Sequence, residues 1–382
     1  MSRLSTDPEV IVVGLGSMGS AAALQLARRG VRVVGVDRFA PPHGRGAHSG
    51  GTRIIRTAYM EGAQYVGLAR AAFDRWEALE KDSGESLLSR TGALTIGERG
   101  TRVVDGVLAT VLAEDLDHEV LDAAEVHRRF GVFTPTATEI AIFEEAAGLV
   151  RPEAAITAQL RLAAQAGAEL RTGVTVEQWA ATGTGVTVWT SDGRIDAERL
   201  VLAPGAWASQ LVGLPVDLRV ERRVQHYWRP AGGGAAFGLG RLPVWMWATG
   251  TSMAYGLPDV GAGAKSALHH PLEGDDPADP DVGVGPARPD EADELRTWLD
   301  GRLPALAAGE WLGAVPCLYT LTQDEHFVLS LHPEHPNVAI GCGFSGHGFK
   351  FVPVIGEILA DLVLTGTTPH RIDTFDPARL GA

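Results

Sequence analysis

Hydrophobic and polar positions along the first forty residues follow the order strand, turn, helix, strand. Residues 9–13 (EVIVV) form a run of mostly β-branched residues, which predicts a parallel strand buried on both faces. Residues 17–29 are helix-forming and lead to Gly30, a residue typical of the position after a helix. Residues 31–36 predict a second strand that ends at Asp37. This order is typical of the start of an α/β domain.

The rest of the chain continues this mixture of helical and strand patterns. Residues 38–56 are rich in Pro, Gly and His and predict a long loop, which inside a compact domain is usually functional. Helical periodicity extends over about 57–84, and the stretch 85–145 predicts short strands with one small helix at 122–129. An acidic, Pro- and Gly-rich loop at 271–292 is expected to extend into solvent. The remaining predicted elements are a helix and strand over 152–179, a strand at 199–203, antiparallel strands over 218–270, a helix at 289–300, a strand at 337–343 and a helix at 352–364.

These patterns predict an α/β fold with two domains. A Rossmann-type dinucleotide-binding domain is expected from residues 1–84, 146–217 and 311–382. A second, substrate-binding domain with a mostly antiparallel β-sheet is expected from residues 85–145 and 218–310. The boundary between two such domains is a common place for a ligand cleft.

Composition narrows the classes of partner. The chain has 382 residues, of which 45% are hydrophobic and 21% charged, and its net charge is −14. This charge argues against nucleic acid and anionic membranes, because both bind clustered positive charge. No stretch reaches the roughly 18 apolar residues of a membrane-spanning helix, and the N-terminal residues lack the apolar core of a secretory signal. Two cysteines make no disulfide framework, so we expect a cytoplasmic protein.

The turn between the first strand and the first helix carries the sequence GLGSMG. Glycines in this pattern allow a tight turn, close approach of a pyrophosphate and close packing of helix on strand. Free amides at the helix start then bind the phosphates, and Asp37 can accept hydrogen bonds from the ribose hydroxyls. The motif predicts a dinucleotide site but does not distinguish FAD from NAD. Its cofactor-binding positions are Gly14, Gly16, Ser17, Met18 and Gly19.

Four further motifs make that distinction. They are HSGGTRIIR at 48–56, APGAW at 203–207, PCLYT at 316–320 and GFSGHGFK at 343–350. With the opening motif they resemble the monomeric sarcosine oxidase and N-methyl-tryptophan oxidase family of D-amino-acid-oxidase-like flavoproteins, over nearly the whole chain. The resemblance implies a monomeric FAD-dependent oxidase of secondary amino acids, with sarcosine as the leading candidate. Sarcosine, dioxygen and water would give glycine, formaldehyde and hydrogen peroxide.

The resemblance also implies how the flavin is held. Cys317 would carry it through a thioether to the 8α-methyl group, which requires a thiolate, whereas Cys342 in an apolar strand is expected to be structural. Lys265 would promote electron transfer to dioxygen, because a fixed positive charge stabilises superoxide. The other positions placed at the cofactor are Arg38, His48, Ser49, Thr52, Arg53, Ile54, Val176, Ala203, Trp207, Phe344, Gly346, His347, Gly348 and Lys350.

A further set of positions matches substrate-binding and catalytic residues of the family. Arg56 and Lys350 would bind the substrate carboxylate, and Arg suits this task because its planar fork can bind a carboxylate bidentately. Tyr255 would line the substrate cavity. The residues that the resemblance assigns to catalysis are Arg53, Lys265, His269 and Tyr319.

Three histidines in the segment DEHFVLSLHPEHP raise the question of a metal site. They are His326, His332 and His335. Their spacing does not match a metal-ligating helix, and the resembled family uses no metal. We therefore expect loop residues and no metal.

The chain departs from the sarcosine oxidase pattern at Ser49, Gly51, Thr57 and Leu257, where that pattern has His, Asp, His and Phe. Smaller side chains would leave a roomier pocket, which keeps N-methyl-tryptophan, pipecolate, proline-like cyclic amines and sugar-amine adducts open as substrates.

Two other classes of protein also stay open. An NAD-dependent dehydrogenase would explain the opening motif but not Cys317, and a non-catalytic flavoprotein would keep every flavin motif. Flavin colour and peroxide production distinguish these classes from an oxidase.

Overall fold

The computed structural model describes residues 7–250, 252–269 and 276–381. The strands are β1 (Val10–Val13), β2 (Val33–Asp37), β3 (Arg53–Ile55), β4 (Leu88–Arg90), β5 (Ala93–Glu98), β6 (Glu119–Asp122), β7 (Glu139–Glu144), β8 (Gly148–Val150), β9 (Glu169–Thr172), β10 (Val176–Ala181), β11 (Val186–Thr190), β12 (Gly193–Ala197), β13 (Arg199–Leu202), β14 (Arg219–Arg229), β15 (Val244–Thr249), β16 (Ser252–Leu257), β17 (Ala264–Leu268), β18 (Glu310–Leu321), β19 (Val328–His332) and β20 (His335–Cys342). The α-helices are α1 (Ser17–Arg28), α2 (Val66–Ser83), α3 (Arg102–Ala113), α4 (Ala123–Arg129), α5 (Pro152–Gln165), α6 (Ala208–Leu211), α7 (Pro289–Leu299), α8 (Pro304–Ala307) and α9 (Val352–Thr365).

A six-stranded sheet with the strand order β19-β20-β13-β1-β2-β9 forms the first layer. Its strands run parallel except for β19, which is antiparallel to β20. Val10 and Val12 of β1 pack with residues of α1, α5 and α9, whereas Ile11 and Val13 pack with the small sheet β10-β11-β12. Both faces of β1 are therefore covered, which explains why its sequence is a continuous apolar run.

The turn from β1 into α1 depends on glycine at position 14. Gly14 has a φ of 88°, in the left-handed region that disfavours residues with a side chain. A Cβ atom there would lie 2.3 Å from the carbonyl oxygen of Ala203. The close approach of this turn to β13 therefore requires Gly14, and it directs the start of α1 toward the carboxyl ends of the parallel strands.

An eight-stranded sheet with the order β18-β14-β17-β16-β15-β5-β7-β6 forms the second layer. It is antiparallel except at the β15–β5 pair, which confirms the predicted mostly antiparallel sheet. Its core contains Trp228, Trp245 and Trp247 of the sheet and Trp298 of α7. The proposed two-domain division has a boundary at 311, and β18, which spans this boundary, pairs with β14 of the second sheet.

Most predicted elements are confirmed within a few residues, among them β1, β2, β13, β20, α1, α4, α5, α7 and α9. The loop predicted at 38–56 also contains the short strand β3, which pairs with β8. No helix of the described residues is long and apolar enough to cross a membrane.

The helix predicted over 57–84 was wrong at its start, because α2 begins only at Val66. The carboxylate of Glu144 accepts the backbone N–H groups of residues 57–58 at 2.8 and 3.0 Å. Gly62 has a φ of 119°, which no helix contains. Both features hold the chain before α2 in a loop.

Helix α3 was missed, because only short strands and one small helix were predicted between 85 and 145. Its sequence, RVVDGVLATVLA, contains a glycine and several β-branched residues, which lower intrinsic helix propensity. The side chains of Val104, Val107 and Val111 are buried in one cluster, and the hydroxyl of Thr101 accepts the N–H of Val104. Tertiary packing and an N-cap therefore override the local propensity.

The acidic loop expected at 271–292 does not simply extend into solvent. Its residues 271–275 lie outside the described residues, and α7 begins at Pro289. Between them, the carboxylate of Asp281 accepts a hydrogen bond from Trp207 Nε1 at 2.9 Å and pairs with Arg38. The loop therefore returns to the six-stranded layer.

Candidate active site

A long cavity begins at the N-terminus of α1. Gly16 precedes this helix without a side-chain cap, so the first backbone amides are available to an anion. At the end of β2, the carboxylate of Asp37 accepts the N–H groups of Leu15 at 2.7 Å and Phe39 at 2.8 Å. A fixed carboxylate thus stands beside free amides, the arrangement that a ribose and a pyrophosphate require.

The predicted cofactor positions divide between three places. Those in the wall of the long cavity are Gly14, Gly16, Ser17, Met18, Asp37, Arg38, His48, Arg53, Val176, Ala203, Trp207, Phe344, Gly346 and Gly348. Those in a second cavity are Ile54, His347 and Lys350, together with Arg53 and Gly346. Those buried behind these walls are Gly19, Ser49, Thr52 and Cys317.

The second cavity opens from the first. Arg53, Tyr319, Gly346 and Phe349 belong to the walls of both. Gly346 has a φ of 79°, and a Cβ atom there would lie 2.1 Å from the ring of Tyr319. Only glycine lets this loop approach the tyrosine so closely, and ligands in the two cavities would meet at this point.

Arg56 lies in the wall of the second cavity with 3% of its surface exposed. Its guanidinium stacks over the ring of Tyr59 at 4.4 Å, donates to the carbonyl of Ala58, and lies 3.5 Å from the carboxylate of Glu61. Because a guanidinium carries five N–H donors, these contacts leave donors for a ligand in the cavity. Arg56 is therefore placed to bind an anion.

Lys350 lies in the same wall. Its ammonium donates to the hydroxyl of Tyr59 and to the carbonyl of His347, both at 2.7 Å. Burial, and then repulsion from Arg56, lower the pKa of Lys350 to about 7, while Glu61 opposes the decrease. A bound anion would add the attraction that keeps this lysine charged.

His347 completes this cluster as a neutral ring. Burial lowers its pKa to about 4, although Glu61 acts in the opposite direction. Its Nδ1 lies 3.2 Å from the hydroxyl of Tyr59, and its Nε2 lies 3.0 Å from the carbonyl of Glu325. Burial would raise the pKa of Glu61, but the charges of Arg56 and Lys350 and a backbone hydrogen bond hold it below its usual value, so Glu61 stays ionised. With Lys350 protonated, two buried cations thus face one buried carboxylate.

Two tyrosines and a histidine, Tyr255, Tyr319 and His269, also line the second cavity. Tyr255 and Tyr319 share a hydrogen bond, and burial raises the pKa of Tyr319 to about 12. The ring of His269 lies 5.7 Å from that of Tyr319. Arg223 supports both residues from behind, since it donates to the His269 carbonyl at 2.9 Å and lies over the Tyr319 ring at 5.4 Å.

The remaining wall is apolar and adaptable. Met60, Met246 and Met253 contribute flexible thioether side chains, which fit ligands of different shapes. The four residues at which the chain departs from the sarcosine oxidase pattern do not line this cavity. Leu257 is fully buried in a hydrophobic cluster, and Thr57 hydrogen-bonds Glu144. A roomier pocket from the smaller side chains at those positions stays a prediction.

Lys265 and Cys317 are buried together behind the meeting point of the cavities. The Lys265 ammonium donates to the carbonyls of Gly50 at 2.9 Å and Thr52 at 2.5 Å. Burial, and then repulsion from Arg53, hold the pKa of Lys265 well below its usual value. Burial raises the pKa of the Cys317 thiol above its usual value, and Arg53 and Lys265 offset part of that increase. The thiol therefore lies within the field of two cations.

Sequence reasoning missed four buried residues that organise the site: Tyr59, Glu61, Arg223 and Gln225. Tyr59 and Glu61 follow Arg56, a predicted carboxylate-binding residue, within five positions of the sequence. Their polar side chains so close to that residue were the signal that could have identified them. Arg223 and Gln225 alternate along β14, where a buried strand carrying Arg and Gln is unusual. Their partners lie far away in sequence, so only the fold identifies their contacts.

The histidine-rich hairpin between β19 and β20 brings His332, Glu334 and His335 within ligand distance of one another, since their candidate atoms lie within 4.8 Å. However, Nδ1 of His332 accepts the backbone N–H of Glu334 at 3.1 Å, and this ring also hydrogen-bonds the backbone of Val212. Trp179 packs against both histidine rings. Hydrogen bonds and packing thus explain these side chains as parts of the hairpin.

Known proteins are similar to this chain in sequence and in fold. The family model of FAD dependent oxidoreductases (DAO) matches residues 9–362. A monomeric sarcosine oxidase of Streptomyces avermitilis is 41% identical over 385 aligned residues, with 99% of each chain covered. An N-methyl-L-tryptophan oxidase of Salmonella arizonae is 32% identical over 380 residues, covering 96% of this chain and 99% of its own. The open form of NikD, an unusual amino acid oxidase essential for nikkomycin biosynthesis, gives a TM-score of 0.84 at 27% identity, with 98% of each chain covered. The chain therefore belongs to the FAD dependent oxidoreductases, in the family of monomeric sarcosine oxidases and N-methyl-L-tryptophan oxidases.

Proposed function

We propose that this protein is an FAD-dependent oxidase of N-methyl and other secondary amino acids, with sarcosine as its leading candidate substrate. The observation that carries this proposal is the position of two buried cations, Arg56 and Lys350, in a cavity that opens from the dinucleotide cavity at Tyr319. Glu61 balances only one of them, so the carboxylate of an amino acid would complete the charge pairing.

The same geometry orients the substrate. When Arg56 and Lys350 hold the carboxylate, the amino nitrogen and its neighbouring carbons extend toward Tyr319 and Arg53, where the two cavities meet. Charge-assisted hydrogen bonds fix this direction and bring the reacting carbon to the end of the dinucleotide cavity. Tyr255 and His269 line the same cavity and would help to exclude water from a bound substrate.

FAD is the cofactor of the family, and the long cavity fits its dinucleotide part through the uncapped amides of α1 and the carboxylate of Asp37. Bound FAD supplies the redox chemistry, accepting a hydride equivalent from the carbon beside the substrate nitrogen and passing two electrons to dioxygen. Sarcosine would give an imine that water hydrolyses to glycine and formaldehyde, with hydrogen peroxide as the second product. The protein binds, orients and desolvates the reactants.

A covalent link between Cys317 and the 8α-methyl group of FAD is part of the proposal. It is supported by the place of Cys317 on β18, two residues before Tyr319, and by the two cations whose charges reach its thiol. The link replaces the S–H bond and one methyl C–H bond with a C–S bond, and the two hydrogens with their electrons pass to dioxygen as hydrogen peroxide.

That link has a direct test. Acid-precipitated wild-type protein should stay yellow and retain about one FAD per chain, and the Cys342→Ala variant should do the same because Cys342 lies in an apolar core cluster. The Cys317→Ala variant should release its flavin on precipitation. A colourless wild-type precipitate would contradict the link and leave non-covalent FAD binding intact.

Lys265 is proposed to assist the reaction with dioxygen. Carbonyl oxygens of Gly50 and Thr52 and the side-chain oxygen of Gln225 surround its Nζ, which matches the three donors of an ammonium group. A charge held in this way costs no reorganisation when superoxide forms.

Monomeric state and cytoplasmic location complete the proposal. The first is supported by the name of the Streptomyces avermitilis relative, and the second remains a sequence-based prediction.

N-methyl-L-tryptophan is a second candidate substrate, because Met60, Met246 and Met253 can rearrange around a larger side chain. A panel of secondary amino acids and neutral amines, with peroxide detection on the isolated chain, tests the proposed function. We expect peroxide with sarcosine or another N-alkyl amino acid and little with neutral amines. Absence of peroxide with every member of the panel, from protein that contains flavin, would support a non-catalytic flavoprotein instead.

A further inference from the structure

Gln225 is a fully buried amide on β14 that touches three residues of proposed chemical importance. Its side-chain oxygen accepts hydrogen bonds from Arg53 Nη1 at 2.9 Å and from Lys265 Nζ at 3.0 Å. Its side-chain nitrogen donates to the carbonyl of Ser49 at 3.0 Å and lies 3.6 Å from Cys317 Sγ, within the range of a hydrogen bond to sulfur. Because both the oxygen and the nitrogen of this buried amide form hydrogen bonds, Gln225 makes specific polar contacts and does more than fill space in the core.

The orientation of this amide is fixed by charge. With the oxygen toward Arg53 and Lys265, both cations meet an acceptor, whereas the flipped amide would point its own donors at them. The amide nitrogen is therefore directed at the sulfur. An N–H donor stabilises a thiolate more than a thiol, because charge strengthens the hydrogen bond.

We propose that Gln225 is a positioning residue for flavin attachment, which holds Arg53 and Lys265 in place with its oxygen and directs an N–H donor at the sulfur of Cys317. This inference rests on the proposed thioether at Cys317. The nucleophile in that reaction is the thiolate, so a residue that favours the thiolate should speed attachment.

Several charged and titratable groups act on Cys317 besides Gln225. Arg53, Lys265 and Arg223 favour the thiolate, and burial disfavours it. Tyr255 and Tyr319 are neighbours whose hydroxyls stay neutral, since burial raises the pKa of each. Glu153 accepts the N–H groups of residues 50–51 and is the nearby carboxylate whose charge reaches Arg53 and Lys265. A change at Gln225 leaves all of these groups in the sequence, so its effect can be separated from theirs.

The test uses two substitutions and one matched control. Gln225→Glu keeps the shape of the side chain but replaces the donor near sulfur with a carboxylate oxygen, and Gln225→Leu removes donor and acceptor together. Tyr227→Phe is the control, because Tyr227 lies two residues along the same strand and donates its hydrogen bond to the Gly50 carbonyl and not to Cys317. Protein produced without riboflavin is used for two measurements. The first is the pH dependence of Cys317 alkylation, with Cys342 resolved by peptide mass, and the second is the rate of covalent attachment after FAD is added.

We expect the half-ionisation of Cys317 to move up by about one pH unit or more in both Gln225 variants, as loss of a hydrogen bond to a charged group predicts. Attachment at neutral pH should slow about tenfold and recover as the pH is raised. Gln225→Glu decides the question if Gln225→Leu does not fold. Suppose that the wild-type protein attaches FAD and both Gln225 variants show the Cys317 ionisation and the attachment rate of Tyr227→Phe. This result would overturn the role of Gln225 and leave the thioether at Cys317 in place. A wild-type protein that attaches no FAD would overturn the thioether and this inference with it.

Discussion

The guanidinium of Arg56 and the carboxylate of Glu61 lie 3.5 Å apart in the wall of the proposed substrate cavity, and both side chains are buried. Glu61 therefore competes with any carboxylate ligand for the positive charge of this wall. Glu61 also gives Arg56 an ion-pair partner when no ligand is bound. Without it, Arg56 would be an unpaired buried cation.

Glu61→Gln should strengthen carboxylate binding, because it removes the competing charge. We expect acetate to bind about fivefold more tightly or better, which corresponds to about 1 kcal/mol, in a titration followed by flavin absorbance. Glu145→Gln is the matched control, since it removes the same charge from an exposed position that does not line the cavity. Weaker acetate binding in Glu61→Gln would show that Glu61 holds Arg56 in its binding orientation and does not compete with the ligand.

Carboxylate binding should depend on pH through Lys350. Burial, followed by Arg56, lowers the pKa of this lysine to about 7 in the ligand-free protein, so its charge is present below this pH and is lost above it. Acetate affinity should therefore decrease as the pH rises through about 7 and beyond. In Lys350→Met, binding should be weaker and its dependence on pH in this range much flatter. An unchanged pH profile in that variant would assign the titration to another group.

Lys265→Met should slow the oxidative half-reaction selectively. Loss of a preorganised charge typically costs ~10²–10³ in rate, so stopped-flow reoxidation of reduced flavin should slow by that factor. Anaerobic reduction by substrate should change much less. Because burial lowers the pKa of Lys265, wild-type reoxidation should also slow as the pH rises and its charge is lost. Lys81→Met, an exposed lysine on α2, is the control for general effects. Equal slowing of both half-reactions would indicate a structural role for Lys265.

Arg56→Lys should be costly although it preserves charge, because a point charge cannot reproduce a planar bidentate fork. Each charge-assisted bond to a carboxylate contributes about 1.5–3 kcal/mol, so kcat/KM for amino acid substrates should decrease by one to two orders of magnitude. The methyl ester of a good substrate should lose most activity with the wild-type enzyme. If Arg56→Ala reduces activity toward acids and neutral amines by the same factor, another residue recognises the carboxylate.

Local sequence predicted the parts of the site that depend on local geometry. The opening glycine motif and Asp37 lie together at the start of the long cavity because a strand, a turn and a helix place them there. The predicted carboxylate partners, Arg56 and Lys350, share a cavity wall although almost three hundred residues separate them. That placement followed from the family resemblance, and spacing alone could not have predicted it.

The parts that sequence did not predict depend on contacts between distant segments. Glu144 of β7 draws residues 57–58 out of a helical pattern. The contacts of Gln225 join β14 to the loop before β3, to β17 and to β18. Helix α3 forms from a valine-rich sequence because its apolar face is buried. In each case tertiary packing outweighs the preference of the local sequence.

Anaerobic mixing of the flavin-containing protein with sarcosine tests the central proposal most directly. The visible flavin absorbance should disappear, about one formaldehyde should form per flavin, and admission of air should restore the absorbance with release of hydrogen peroxide. N-methyl-L-tryptophan, pipecolate and proline are measured in parallel, so that a different secondary amino acid would still be detected. Flavin that stays oxidised with all of these amino acids would contradict the account.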